Sequence, residues 1–290
     1  MSETLSAPAP AKINLALEVL GRRDDGFHEV DTILQTLELS DAVTLAFGGV
    51  PGVSASGPFA PGTPCNETNL AWRVAVSLAG RLGRGLESLS IHLEKRIPAA
   101  GGLGGGASDA ATTLRLLQWA WPEASSEDLT AAAVAAGSDE AFFLVGGTAR
   151  ARGRGEWVTP LPPLPAHDVV IFVPPGTIER KTARMFAALG PLPFDSGSVA
   201  EAFSGRPPQG LGASDIYNSF ERVAFDLFPE LAALWEELEA RTGDAIRLAG
   251  AGPALFWIGP PGEGRRIAEA AAGAACTVIE TATAGGLWKP

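Results

Sequence analysis

Residues 98–111 read PAAGGLGGGASDAA, and this glycine-rich stretch decides the fold of the chain. It follows an alternating apolar pattern over Ser88–Ile97, which predicts a strand, and it precedes helical spacing over Ala110–Trp121. At such a junction glycines let backbone N–H groups crowd around a phosphate, and the helix dipole favours its negative charge. A flexible surface turn is the alternative, but six of the seven residues 101–107 are glycine or alanine. The stretch therefore predicts a phosphate-binding loop.

Two widespread phosphate-binding motifs do not describe this loop. The P-loop motif ends in Gly-Lys-Ser/Thr, whereas Gly106-Ala107-Ser108 lacks the lysine. The dinucleotide-binding fingerprint matches in form, but it requires a strand after the first helix. Here Ser125 and Asp128 have the spacing of a helix-capping box, so a second helix is predicted over Leu129–Ala136 instead. The missing lysine excludes the P-loop motif, and the context of the loop argues against the dinucleotide-binding fingerprint.

Residues 98–111 do resemble the ATP-binding signature of the GHMP kinases, P-x-x-G-G-L-G-G-G-S-S-[ND]-A-A. The chain departs from it at Ala107, where the family usually has a serine. Two more segments resemble motifs of the same family in the same order, residues 10–15 with 21–28 and residues 248–253. Asn218 matches a recurring family asparagine. The form of these motifs is the one seen in members that act on a cytidine diphosphate-linked polyol.

This resemblance implies an α+β, two-domain GHMP kinase fold with the active site in the interdomain cleft. We expect the N-terminal ATP-binding domain to span residues 1–159 and the C-terminal α+β domain to span residues 160–290, joined at the proline-rich segment PLPPLP (160–165). The implied activity is transfer of the γ-phosphoryl group of ATP to an alcohol of the small-molecule substrate. Mg²⁺ is expected to arrive with ATP and to lie near the Ser108 hydroxyl. No structural metal site is expected, because no His, Cys or Asp cluster has ligand spacing.

The resemblance also implies roles for individual residues. Lys12 and Asp139 are the implied catalytic pair, with Asp139 as the base that takes the hydroxyl proton. The residues implied to bind the substrate are Asn14, Phe27, His28, Thr182 and Phe186. The residues implied to bind the nucleotide are Asn69, Lys95, Pro98, Ala99, Ala100, Gly101, Gly102, Leu103, Gly104, Gly105, Gly106, Ala107 and Ser108.

The residue types suit these roles. A cation beside a carboxylate keeps it ionised, and a positioned base contributes about 10²–10⁴ in rate. Phe27 can stack on a base for roughly 1–3 kcal/mol, and His28 can hydrogen-bond the base edge. By the resemblance, Phe186 closes the other face of the base. One departure is Glu140-Ala141 in place of the family's Val-Pro, which puts a second carboxylate next to Asp139.

Several of these assignments have a structural alternative. Asp139 is also typical of the first turn of a helix, and Lys12 of a solvated charge at the edge of a sheet. Asn69 is a common N-cap residue at the start of a predicted helix. His28 is also typical of a plain turn, and Phe186 of a hydrophobic core.

Apolar periodicity predicts other elements that position the motifs. Alternation predicts a strand over Lys12–Val19, and the chain is extended over Val30–Ser40. Helical spacing predicts helices over Asn69–Leu82 and Val223–Arg241, and Val169–Val173 is a strand-like run.

Composition and charge limit the classes of partner that the chain can bind. The chain has 290 residues, and 22 Lys and Arg against 33 Asp and Glu give a formal net charge of −11. Nucleic acids and anionic membranes are poor partners for such a chain, whereas backbone amides can hold a small phosphorylated ligand. Cys65 and Cys276 lack CxxC spacing, and no apolar stretch reaches membrane-spanning length. We expect a cytoplasmic enzyme with reduced cysteines, and the sequence leaves its oligomeric state open.

Two other functions fit parts of the sequence. Another GHMP kinase, acting on homoserine, mevalonate or a sugar, would share the loop, but such substrates carry no cytosine for the Gly26-Phe27-His28 turn to stack on. A non-catalytic relative that only binds nucleotide is favoured by Ala107 and by Glu140-Ala141. Turnover of a cytidyl substrate would separate all three functions.

Overall fold

The computed structural model describes residues 4–176, 180–190, 192–205, 210–212 and 215–286. The strands in these ranges are β1 (Thr4–Arg22), β2 (His28–Phe47), β3 (Gly52–Ser56), β4 (Leu89–Glu94), β5 (Thr148–Gly153), β6 (Trp157–Pro160), β7 (Asp168–Val173), β8 (Tyr217–Asn218), β9 (Arg247–Leu248), β10 (Leu255–Gly259) and β11 (Thr277–Ala282). The helices are α1 (Leu70–Leu82), α2 (Gly105–Ala120), α3 (Ser126–Ala136), α4 (Glu140–Val145), α5 (Lys181–Leu189), α6 (Ser198–Gly205), α7 (Glu221–Leu227), α8 (Pro229–Thr242) and α9 (Gly264–Ala270). None of the helices in these described ranges is long and apolar enough to cross a membrane.

A long antiparallel hairpin of β1 and β2 is the centre of the first sheet. The alternation predicted a strand over Lys12–Val19, and β1 contains it but begins earlier, at Thr4. β2 continues past the predicted end at Ser40 because its two halves pair with different strands on the edge away from β1. Val30–Gln35 pairs with β5, and Ala42–Phe47 pairs with β4. The sheet has the order β3-β4-β2-β1-β8, with β6 attached through β5. The helices α1, α2 and α3 share a hydrophobic core with this sheet.

The second sheet has the order β11-β7-β10-β9 and contributes to two cores. Val169 and Ile171 of β7 share a core with Ile13 of β1. Val170 and Phe172, on the opposite face of β7, share a core with α5, α7 and α8. Both faces of the strand are therefore buried, and the two sheets pack against each other. Since the predicted domains share this core, their limits at 1–159 and 160–290 stay a prediction.

Two helices begin at local capping signals that the sequence shows. Asn69 caps α1, and the predicted capping box of Ser125 and Asp128 is confirmed at the start of α3. The helix after the glycine-rich loop begins at Gly105, earlier than the predicted Ala110. The last glycines of the loop therefore belong to the first turn of α2, where their N–H groups have no partner within the helix.

The prediction of one helix over Val223–Arg241 is wrong. The structure has two helices there, α7 and α8, which meet at Phe228. Pro229 has no N–H to continue α7, and a proline disfavours helical geometry in the residue before it. Phe228 accordingly has φ −138° and ψ 77°, and Pro229 begins α8.

Candidate active site

Three adjoining cavities of about 580, 460 and 1120 Å³ form one cleft. The first, the loop cavity, is lined by the glycine-rich loop. The central cavity is lined by Lys12 and Asp139, and the third, the turn cavity, by Phe27 and His28. Thr182 lines all three cavities. The structure therefore brings the predicted catalytic pair between the predicted nucleotide and base sites.

The loop cavity is shaped by glycines that pack too closely for any side chain. Gly102 has φ +87°, and a Cβ there would lie 2.0 Å from the carbonyl oxygen of Ala249. Gly104 has φ +76°, and its Cβ would lie 2.7 Å from the ring of Phe143. The predicted nucleotide-binding residues that line this cavity are Asn69, Lys95, Pro98, Ala99, Ala100, Gly101, Gly102, Leu103, Gly104, Gly105, Gly106 and Ala107.

Ser108 lies in the first turn of α2 and is fully buried, so it does not line the loop cavity. Its hydroxyl and the Oδ1 atom of Asp109 are buried without a hydrogen-bond partner among the described residues. Buried polar atoms nearly always have a partner. These two oxygen atoms therefore fit a further group held at the base of the loop.

Lys95 belongs to a buried ion triad beside the loop. Its ammonium donates to one carboxylate oxygen of Asp41 and to one of Asp109. Burial alone would lower the pKa of Lys95, but the negative charges of Asp109 and Asp41 outweigh it, and the pKa is raised. Asp41 also accepts from the backbone N–H of Ile97 at 2.8 Å. The triad thus neutralises Lys95 internally and ties β2 to the start of the loop.

Asn69, which was predicted to bind the nucleotide or to cap a helix, caps helix α1. Its Oδ1 accepts from the N–H of Ala71 at 2.9 Å, and its Nδ2 donates to the carbonyl oxygen of Pro64 at 2.7 Å. These two bonds fix the start of α1 at the edge of the loop cavity. A direct contact of Asn69 with a nucleotide stays a prediction.

The Lys12 ammonium lies 3.7 Å from Oδ2 of Asp139 in the central cavity. Lys12 is only 4% exposed, so it is not a solvated edge charge, and it donates to Oδ1 of Asn14 at 2.8 Å. Asn14 in turn donates to Thr32 at 2.8 Å. Asp139 stands at the N-cap of α4, yet its side chain makes no capping hydrogen bond and is 45% exposed. The carboxylate of Asp139 is therefore open to the cleft and paired with a positioned cation.

Glu140 places a second carboxyl beside Asp139. Its side chain lines the central cavity, although the residue is only 2% exposed. Burial raises the pKa of Glu140 to about 7; its own backbone N–H opposes the shift, and the charge of Asp139 adds to it. The group therefore changes its charge close to neutral pH, which the sequence did not predict.

Glu140→Gln is expected to flatten the pH dependence of stability. Because the folded state holds the Glu140 proton up to pH about 7, the unfolded chain releases it first as the pH rises from its ordinary pKa of 4.5. The free energy of unfolding of the wild type should fall across this window, by up to about 3 kcal/mol for this group. Urea titrations between pH 4.5 and 8 should show the variant gaining stability relative to the wild type as the pH rises. Parallel curves for the two proteins would contradict the assignment.

The turn cavity collects the predicted base-binding residues Phe27, His28, Thr182 and Phe186. The rings of His28 and Phe186 stack on each other, with centroids 4.3 Å apart and planes at 14°. Phe27 is half exposed, and the guanidinium of Arg154 lies 4.8 Å from the centroid of its ring. Burial and the charge of Arg22 lower the pKa of His28, so a neutral ring can both donate and accept at neutral pH. Phe186 is thus part of the cleft, stacked directly on His28.

Three further cations in the cleft were missed from the sequence, and one of them, Arg22, lines the turn cavity. Lys181 lines the central cavity, and Arg154 lines both the central and the turn cavities. Burial and repulsion by Lys12 lower the pKa of Lys181 to about 8, while Asp139 opposes the shift. The sequence held one local indication of a role for Lys181. It is one of only four lysines in the chain, and it directly precedes the predicted substrate residue Thr182.

Comparison with known proteins identifies the class. The family model for the GHMP kinases N terminal domain matches residues 69–147, and the model for the GHMP kinases C terminal matches residues 208–276. The chain therefore belongs to the GHMP kinase family and is an ATP-dependent small-molecule kinase. The α+β fold predicted from the sequence is confirmed.

Within this family, the chain is similar to enzymes named 4-diphosphocytidyl-2-C-methyl-D-erythritol kinase. The protein of that name from Dehalococcoides mccartyi is 39% identical over 88% of this chain and 89% of its own length. The Bacillus subtilis protein is 37% identical over 86% of each chain. A crystal structure of 4-(cytidine 5'-diphospho)-2C-methyl-D-erythritol kinase superimposes with a TM-score of 0.77 at 35% identity, covering 97% of this chain and 100% of the other. A homoserine kinase from Cytophaga hutchinsonii, at 16% identity and a TM-score of 0.62, shares the fold.

Proposed function

We propose that this chain transfers the γ-phosphoryl group of ATP to the 2-hydroxyl of 4-diphosphocytidyl-2-C-methyl-D-erythritol, in the non-mevalonate route to isoprenoids, in the cytoplasm. The observation that carries the proposal is the continuous cleft, which leads from the glycine-rich loop past Lys12 and Asp139 to Phe27 and His28. The names of the relatives support the same substrate.

The loop cavity is the proposed site of ATP. Backbone N–H groups of the loop and the positive end of the α2 dipole would face the phosphates, so no net positive charge of the chain is needed. Mg²⁺, a cation that prefers oxygen ligands, would neutralise charge on the phosphates. The residues that would hold it are Ser108, through its unpartnered hydroxyl, and Asp109, through its unpartnered Oδ1.

Asp139 is the proposed base at the substrate hydroxyl. Its carboxylate is open to the cleft, and the Lys12 ammonium lies 3.7 Å from its Oδ2 atom. Lys12 also donates to Oδ1 of Asn14 at 2.8 Å, so its ammonium is positioned before the substrate arrives. As the hydroxyl oxygen bonds to the γ-phosphorus, its proton passes to Asp139 and the bond to ADP breaks.

The turn cavity is the proposed site of the cytidyl group. Phe27 offers an aromatic face, and His28 offers a neutral ring that can hydrogen-bond the base edge. Phe186 already stacks on His28, and Thr182 lies where the cavities meet. A substrate with its base at this end would extend its alcohol toward Asp139.

The test is ADP formation by the purified chain with Mg-ATP and four alcohols in parallel. These are 4-diphosphocytidyl-2-C-methyl-D-erythritol, homoserine, mevalonate and galactose. We expect turnover with the cytidyl substrate alone, and CDP should compete with that substrate. Turnover confined to another alcohol would overturn the substrate assignment while leaving the kinase class intact.

A further inference from the structure

Lys181 places its side chain where the two glycine-rich segments of the cleft meet. It is the first residue of α5, and its ammonium donates to the carbonyl oxygen of Gly252. Gly252 lies in the turn against which the loop packs, since a Cβ on Gly102 would come 3.2 Å from its nitrogen. The ammonium is therefore anchored on the wall of the central cavity, at a turn that packs against Gly102, and Gly102 lines both the loop cavity and the central cavity.

The charges around Lys181 leave the central cavity with a surplus of positive charge. The cations that line it among the described residues are Lys12, Arg154 and Lys181, and the acids are Asp139 and Glu140. Arg154 is already paired with Glu156 at 3.7 Å, so the surplus comes from the two lysines. Glu140 is buried and holds its proton up to pH about 7, so its negative charge is incomplete at neutral pH. Lys12 is buried and Lys181 is half-buried, and two such ammonium groups close to one another are unfavourable unless an anion arrives between them.

We propose that Lys181 is a catalytic residue whose ammonium contacts the γ-phosphoryl oxygens of ATP during transfer. Lys12 has the separate role of pairing with the Asp139 carboxylate. This inference rests on the proposed phosphoryl transfer. The substrate oxygen forms a bond to the γ-phosphorus, and the bond from that phosphorus to the bridging oxygen breaks with its electron pair passing to ADP. The hydroxyl proton goes to Asp139. Lys181 keeps its proton throughout and stabilises the charge on the moving group.

If the reaction requires protonated Lys181, its rate has an alkaline limit, a pH above which kcat/KM falls. Burial and the charge of Lys12 on β1 lower the pKa of Lys181 to about 8, and the charge of Asp139 before α4 opposes the shift. Glu140 and Arg154 lie on the same cavity wall. In the free enzyme kcat/KM should therefore fall above pH about 8. Arginine stays protonated throughout this range, so Lys181→Arg should remove the limit.

The experiment compares the wild type with Lys181→Met, Lys181→Arg and the control Arg184→Met. Arg184 is an exposed cation on the same helix and does not line the three cavities. Steady-state kinetics should show Lys181→Met losing about 10²-fold or more in kcat, with KM for the alcohol little changed. Lys181→Arg should retain most of kcat and lose the alkaline limit, and Arg184→Met should match the wild type.

The outcomes separate this inference from the proposed function. A kcat within threefold of the wild type in Lys181→Met, or an unchanged alkaline limit in Lys181→Arg, would overturn the role of Lys181. A merely structural role would lower thermal stability and would leave the pH profile in place. If the wild type phosphorylates a different alcohol, the substrate proposal fails and the same comparison on that alcohol decides on Lys181. A wild type that transfers phosphate to none of the alcohols overturns both.

Discussion

Asp139→Asn is expected to lower kcat by about 10²–10⁴, because the amide cannot accept the substrate proton. The substitution preserves size and leaves the Lys12 ammonium in place, 3.7 Å from the position of the lost carboxylate oxygen. The side chain caps no helix, so the fold should be unaffected. Single-turnover rates with saturating ATP and substrate, beside circular dichroism and thermal unfolding, would measure the chemical step and check the fold.

The matched control is the neighbouring Glu140→Gln, which removes a buried carboxyl of the same cavity. We expect it to retain kcat within about tenfold, since the Glu140 side chain is enclosed whereas Asp139 is open to the cleft. The double variant tests whether Glu140 supplies the residual rate of Asp139→Asn. A folded Asp139→Asn protein with kcat within tenfold of the wild type would mean that Asp139 positions the hydroxyl without taking its proton.

The parts of the site that could be predicted are those encoded within a few residues. The glycine-rich loop could be predicted from the sequence because its backbone requires glycine. Gly102 and Gly104 have positive φ and no room for a side chain. The capping box at Ser125 works through Asp128, three residues away, and was predicted for that reason. One local signal was overlooked, since Pro229 marks the break between α7 and α8.

The parts that could not be predicted depend on contacts between distant segments. Asp41 meets Lys95 only after β2 has paired with β4. Lys181 enters the cleft only because α5 brings it to Gly252, 71 residues along the chain. The stacking of the His28 ring on the Phe186 ring also depends on how the second half of the chain packs on the hairpin of β1 and β2. Resemblance supplied residue roles, but the charge balance of the central cavity needed the structure.

The second large effect is expected on the free energy of unfolding, when the buried triad of Lys95, Asp41 and Asp109 loses one member. The side chains are 6%, 0% and 3% exposed, so water cannot stabilise any of the three charges. Removing one member of a buried ion pair typically costs 3–5 kcal/mol, because the remaining charge is left without compensation. Burial raises the pKa of Asp109 to about 7 although Lys95 opposes the shift. The loss of Lys95 would leave the carboxyl groups of Asp109 and Asp41 without their cation, and Asp41 also accepts from the backbone N–H of Ile97 at the start of the loop.

Lys95→Met is therefore expected to lower the free energy of unfolding by about 3–5 kcal/mol at pH 7 and to weaken ATP binding. Arg96→Met is the control, because Arg96 pairs with Glu94 at the surface and should change stability by less than about 1 kcal/mol. Urea unfolding and calorimetric titration with ATP would measure both effects. Adding Asp109→Asn to Lys95→Met should recover part of the stability, since it removes one of the two buried carboxyl groups left without a cation. A Lys95→Met protein as stable as the Arg96→Met control would show that the triad does not hold the loop.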